Sequence, residues 1–269
     1  MRDHHNDTGG PNETDSPYRP SALRVLRKSV ADAWLHLAPL AGANVAWVVL
    51  AGLPVGVLGR LSASPALLAC AAAATVLTVA AGTAVLFRVT NRMAHGEVTF
   101  ADLRTALTDL FAGSVVLLLV ITVILCVGAF NVYFYFKIVS GPWWQIVGIV
   151  WGYVIIMFMI AMLYCYPLLA EQRPGPFHAI KRSILLCLDN PGFTSATAGA
   201  IALWTIVVLV PVVTALPVVI GLSAFALCFV HAGFATLVAN NALLELLRKY
   251  ETMEKAHDAG GGVPGDTGS

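Results

Sequence analysis

The stretch GSVVLLLVITVILCVGAFNVYF, Gly113–Phe134, decides the fold: it holds no Asp, Glu, Lys or Arg from end to end. At about 1.5 Å per residue, a helix of this length covers the roughly 30 Å hydrocarbon core of a bilayer. Five further spans share its character, Leu35–Leu58, Ala66–Phe87, Trp143–Leu169, Thr194–Val213 and Pro217–Ala239. Composition agrees, with 58% hydrophobic and 12% charged residues over a chain of 269 and a mean hydropathy of +0.79. A soluble domain carries about 25% charged residues, and too little polar sequence remains here to cover six apolar helices. The sequence therefore predicts an all-α, polytopic transmembrane helical bundle of about six spans over residues 21–250, with the lipid bilayer as its surroundings.

Polar segments at 1–20 and 251–269, rich in Gly, Pro and charge, read as disordered tails. The first lacks an apolar h-region and does not read as a signal peptide. A net charge of +1 offers no electrostatic footprint for nucleic acid, so the placement of the charges is what informs. The short connectors Gly59–Pro65, Tyr135–Pro142 and Thr214–Leu216 hold only Arg60 and Lys137 of the 16 Lys and Arg, and none of the 15 Asp and Glu. Basic residues in short loops stay on the cytoplasmic side, so both termini are expected in the cytoplasm.

Each odd-numbered span follows a short amphipathic segment: SALRVLRKSVADAW, TFADLRTALTDLF and PFHAIKRSILLCL. Leu23, Leu26 and Val30 recur as Phe100, Leu103 and Leu107, then as Phe177, Ile180 and Ile184, a step of 77 residues each time. A base follows the second apolar residue (Arg27, Arg104, Lys181), with Arg182 beside the last, and a small residue comes two places later (Ser29, Ala106, Ser183). The spacing i, i+3, i+7 gives one apolar helical face, suited to the membrane interface. Three tandem units, each an interfacial helix followed by a transmembrane hairpin, are the expected organisation. Their exposed helices, with Arg27, Leu103, Arg104, Ile180, Lys181 and Arg182, form the candidate partner surface. Thr99 with Asp102 resembles a capping box, and Asn190-Pro191-Gly192 predicts a break before the fifth span.

Among the polar residues inside spans, His231 in CFVHAGF and Asn44 in AGANVAW stand out. An imidazole at membrane depth is a candidate ligand contact or proton relay, although no intramembrane carboxylate accompanies it. An asparagine there serves as a hydrogen-bonding link between helices or lines a polar path. The five cysteines form no CxxC pair or metal-like cluster, and no P-loop, HExxH or GxSxG motif occurs. No catalytic residue, cofactor or metal site is assigned, and the chain reads as non-enzymatic.

The segment YCYPLLAEQRPGPFHAIKRSILLCLDNPG, with Tyr166-Pro167-Leu168-Leu169 leading into the amphipathic stretch Phe177–Leu188, resembles the YesL-type family of bacterial integral membrane proteins. The resemblance covers about residues 21–250 and implies a multi-pass protein of the bacterial inner membrane. Members are often encoded beside sugar-uptake ABC transporters, which implies an accessory role in carbohydrate import with such a transporter as partner. No stretch here resembles the loop by which importer permeases engage their ATPase. An accessory or scaffold component is the expectation, and a small-solute transporter or channel acting alone is the alternative.

Overall fold

A computed structural model describes residues 18–58, 65–99, 101–139, 141–213 and 227–260. All regular structure among them is helical. Helix α1 (Ala22–Leu35) is followed by α2 (Leu37–Leu58) and α3 (Pro65–Ala94). Helix α4 (Ala101–Thr105) runs through a π-helical turn, Ala106–Leu110, into α5 (Phe111–Tyr133), which ends in a second π turn, Phe134–Ile138. Next come α6 (Pro142–Ala161), a 3₁₀ turn at Met162–Tyr164, α7 (Cys165–Gln172), α8 (Pro176–Asp189) and α9 (Pro191–Val213). A π turn at Leu227–His231 leads into the last helix, α10 (Ala232–Gly260). Five helices are long and apolar enough to cross a membrane, and α1 with α2 passes as a pair bent by 93°. The chain is a multi-pass helical membrane protein.

The 77-residue step appears in burial. Ser29, Ala106 and Ser183 are each 0% exposed, and so are Leu40, Leu117 and Thr194 eleven places further on. Each amphipathic segment docks on the inner part of the even-numbered span before it. Ala106 shares a core with Val89, Met93 and Ala94 of α3. The Ser183 hydroxyl donates to the Ala161 carbonyl where α6 ends. Ser29 accepts from Asn241 Nδ2 of α10 at 3.0 Å, so the first helix of the chain docks on the last and the three units close into a ring. The face turned inward carries Val25, Asp102 and Ala179 beside the small residues. Leu23, Val30, Leu107 and Phe177, read from the sequence as the apolar face, point away from the bundle.

The units differ at the join between amphipathic helix and span. Between α1 and α2, His36 N–H donates to Asp32 O and Leu40 N–H to His36 O, both at 3.0 Å. Between α8 and α9, Asn190 N–H donates to Leu186 O at 3.1 Å and Thr194 N–H to Asn190 O at 3.0 Å, the same pattern two repeats later. Pro39 and Pro191 sit in the first turn of their spans, where a missing N–H costs nothing. The second unit departs from the expectation of a separate interfacial helix. Its segment Thr108–Gly113 has no proline or other breaker ahead of the span, and the helix continues through the π turn instead. The expected tail boundary at 250 also moves: residues 251–260 belong to α10, because Glu, Met, Lys and Ala are good helix formers. The tail calls at 1–17 and 261–269, and Phe100, lie outside the described residues.

Close approach of α2 to α10 rests on Gly233, where an added Cβ would lie 2.7 Å from Leu40 Cδ1. Enlarging the three docking residues should test the ring. Ser29→Leu, Ala106→Leu and Ser183→Leu are each expected to cost about 1–3 kcal/mol by overpacking. Exposed Leu107→Ala should stay within about 0.5 kcal/mol. Thermal unfolding in detergent measures this; a silent Ala106→Leu would mean that the second unit is not docked like the others.

Candidate functional site

Polar residues concentrate where the inner parts of α3, α7 and α10 meet α1. Lys28 places its ammonium between three acceptors, Asp32 Oδ2 at 2.8 Å, the Ala94 carbonyl at 2.8 Å and Asn241 Oδ1 at 2.7 Å, so each N–H has a partner. Asn241 turns its amide to Ser29 Oγ at 3.0 Å and Asp32 Oδ2 at 3.1 Å. Ser21 precedes α1 in extended conformation, but its side chain makes no cap bond. Its N–H instead faces Glu245 Oε1 at 3.4 Å, and Arg24 donates to the same oxygen at 2.7 Å. Glu245 is buried and Arg24 half-exposed, so the pair ties the start of α1 to α10 at the edge of the bundle, and removing Arg24 would leave the buried carboxylate without its cation.

On the other side of α10, Asn240 Nδ2 donates to Thr90 Oγ1 of α3 at 2.9 Å. Asn91 Nδ2 donates to Glu171 Oε2 of α7 at 2.7 Å, and His95 Nε2 lies 3.6 Å from the other oxygen of that carboxylate. Arg88 is buried, with one Nη donating to the Ala170 carbonyl at 3.2 Å and its Nε unpartnered. Thr99 and Asp102 form one half of the expected capping box: the Thr99 N–H and hydroxyl each donate to Asp102 Oδ2 at 2.9 Å, while Arg92 Nε reaches the other oxygen at 3.1 Å. Burial raises the Asp102 pKa, and these donors more than offset it, holding the carboxyl below its ordinary 3.8.

Asn44 is fully buried and accepts the Gly233 N–H at 2.7 Å. Gly233 follows the π turn Leu227–His231, whose i→i+5 spacing shifts the hydrogen-bond register of the helix. Asn44 thus satisfies backbone at a helix irregularity, the linking role open to it from sequence. His231 ends that π turn and stacks on Trp204 of α9, ring centroids 6.4 Å apart. His231 Nδ1 and Trp204 Nε1 are both buried without a hydrogen-bond partner. These two residues lie away from the Lys28–Glu245 network, and sequence reasoning missed Trp204 because an intramembrane tryptophan looks like apolar filling.

The amphipathic helices sort the remaining candidates. Arg27, Arg104 and Lys181 are exposed, and among the described residues none of the three makes a hydrogen bond or ion pair. Arg182 donates to Gln172 Oε1, and Ile180 packs half-buried against the core around Cys165 and Leu169. The Leu103 side chain lies outside the described residues. Among those residues no three His, Cys, Asp or Glu side chains gather as metal ligands. Comparison with family models, with curated proteins and with solved structures finds no match for this chain.

Asp102 supplies a pH test. Its folded pKa is depressed, so its contribution is complete above 3.8 and fades as the pH falls through the lower folded value. Asp102→Ala should cost about 1–2 kcal/mol at neutral pH, the worth of a lost cap. The gap between variant and parent should narrow below pH 3.8; a gap independent of pH would show that the carboxylate charge contributes nothing.

Proposed function

We propose that the chain is a non-enzymatic accessory or scaffold component of a bacterial inner membrane, with both termini in the cytoplasm. The observation that carries this reading is the far end of α10. Tyr250 donates to Asp189 and accepts from Asn190 Nδ2 at 3.0 Å, while Lys249 donates to Asn190 Oδ1 at 2.8 Å, and these are the last ties between α10 and the bundle. Beyond them the helix runs on to Gly260, exposed throughout Glu251–Lys255. Ten helical residues project about 15 Å, enough to present a face to a second protein. The polar groups at the inner end of the bundle are engaged mainly with one another, which suits a rigid support better than a path for solute. The resemblance to the YesL-type family adds carbohydrate uptake as the setting, with a sugar ABC transporter as the partner class.

Removing residues 251–269 should leave the thermal midpoint of the bundle within experimental scatter. It should also abolish crosslinking in native membranes to the protein captured by the full chain. Unchanged capture by the truncated chain would refute the reading.

A transporter or channel acting alone is favoured by one specific observation, the pair of unpartnered ring nitrogens on His231 and Trp204 at membrane depth. It requires the purified chain to move solute across liposomes, with flux lost in His231→Ala. Absence of flux for a panel of sugars and small ions leaves the scaffold as the reading.

A further inference from the structure

We propose that Arg27, Arg104 and Lys181 are three binding points for the phosphate of an anionic phospholipid, one on each amphipathic segment of the ring. The inference is independent of the scaffold reading.

The inward faces fix the outward ones. On α1, Val25 and Ser29 are buried. Arg27 lies two residues from each, about 200° around the helix at 100° per residue, and therefore on the opposite side. The same relation places Arg104 between buried Asp102 and Ala106, and Lys181 between buried Ala179 and Ser183. Exposed apolar residues share the outward face by i−4, i+3 and i+7 spacing, although Ile184 and Phe111 at two of these positions are half-buried. Around Arg27 they are Leu23, Val30 and Trp34, exposed by 67%, 58% and 79%. Around Lys181 they include Phe177 and Leu188, exposed by 70% and 71%, and beside Arg104 stands Leu107 at 48%. Each segment thus turns outward a cation with an exposed apolar side chain beside it.

None of these cations has an acid of this chain to pair with among the described residues, whereas Arg24, Lys28 and Arg92 on the inner side are all ion-paired. A cation surrounded by apolar side chains at a membrane edge draws an anionic partner from its surroundings. Helix α1 turns by 93° from the direction of its span, an angle that lays it along the membrane plane at headgroup level. There the apolar neighbours meet acyl chains and the cation meets phosphate. Around Arg27 the surface opens as a groove lined also by Ser21, Leu23, Arg24 and Lys28, so a headgroup would find the remaining N–H groups of Arg24 at its edge. A free phosphate shares the headgroup chemistry, but it would leave the stripes of Leu23, Val30, Trp34 and Phe177 uncovered.

Native mass spectrometry of the full chain, released from detergent with phosphatidylglycerol titrated in, reads the sites directly. Three successive lipid adducts are expected, and Arg27→Gln, Arg104→Gln and Lys181→Gln should each weaken one of them by about fivefold. The triple variant should retain none of the three, and the charge-conserving set Arg27→Lys, Arg104→Lys and Lys181→Arg should keep all. Arg248→Gln, a basic residue of α10 off these faces, should leave the pattern unchanged. Wild-type adduct numbers in the triple variant would overturn the proposal, as would equal retention of phosphatidylcholine. Equal loss in Arg248→Gln would assign the binding to diffuse charge, and displacement of the adducts by millimolar inorganic phosphate would assign it to a free anion; either result overturns the lipid site.

Discussion

One contact organises this bundle: a small side chain on each amphipathic segment, Ser29, Ala106 or Ser183, pressed without exposure against an even-numbered span, the preceding one for the second and third segments and the last for the first. A membrane supplies no hydrophobic force between helices, so association depends on close packing and hydrogen bonds. Small residues allow the first, and the two serines add the second through Asn241 and the Ala161 carbonyl. The next fully buried positions, Leu40, Leu117 and Thr194, follow from that docking, because a helix pinned there must bring the start of its span against the same neighbour. Leu40 reaches Gly233 of α10 and Thr194 receives the Tyr164 hydroxyl at 3.1 Å.

The contact between α1 and α10 differs in energetic kind from the other two. Ala106 docks mainly through apolar atoms, whereas α1 meets α10 through Lys28, Asp32, Asn241, Arg24 and Glu245. Closing a ring between the first and last helices of a chain lacks the short connection that keeps each other segment beside its span. Directional, charge-assisted bonds specify one register there, at the cost of desolvating Glu245. The arrangement makes the inner end of the bundle its rigid part. The outward sides of α5 and α6, with Val123, Ile149 and Tyr153 exposed, are left to lipid.

Much of this was legible in the sequence, and the exceptions have physical reasons. Uncharged length alone marks the spans, and the Thr99–Asp102 cap was readable because its chemistry is local. The repeat was readable too, but which side of each segment meets the bundle was not. Leu23 and Val30 carry the larger hydrophobic signal, and periodicity leaves that face open to acyl chains or to the bundle. In a bilayer the outside is also apolar, and the bundle side is where small residues let backbones approach. The missing break in the second unit was visible in principle, since Thr108–Gly113 lacks the proline present in both relatives within the chain. The partners of Asn44 and His231 were not legible. A backbone N–H at Gly233 and an indole at Trp204 leave no pattern in sequence, being set by how two distant helices cross.

That the second unit alone lacks a break bears on how the ring is held. Its segment enters the span as one continuous helix, so the direction of α4 is fixed by α5 through covalent geometry. The first and third segments are free to turn at His36 and Asn190 and need contacts to hold their angle. Such contacts stand at both joints, and the second segment is tied as well, by Arg92 to Asp102 at 3.1 Å and by Arg173 to Asp109 at 2.8 Å. Arg24, Lys28 and Asn241 fasten α1, while Lys249 and Tyr250 grip Asp189 and Asn190 at the end of α8. Hydrogen bonds from Tyr250 and Lys249 also hold the Asp189 carboxyl below its ordinary value of 3.8, the electrostatic mark of that grip. Both sets of fasteners stand on α10. The last helix therefore braces the two hinged segments of the ring, while the second takes its direction from its own continuous helix and from the ion pairs to Arg92 and Arg173.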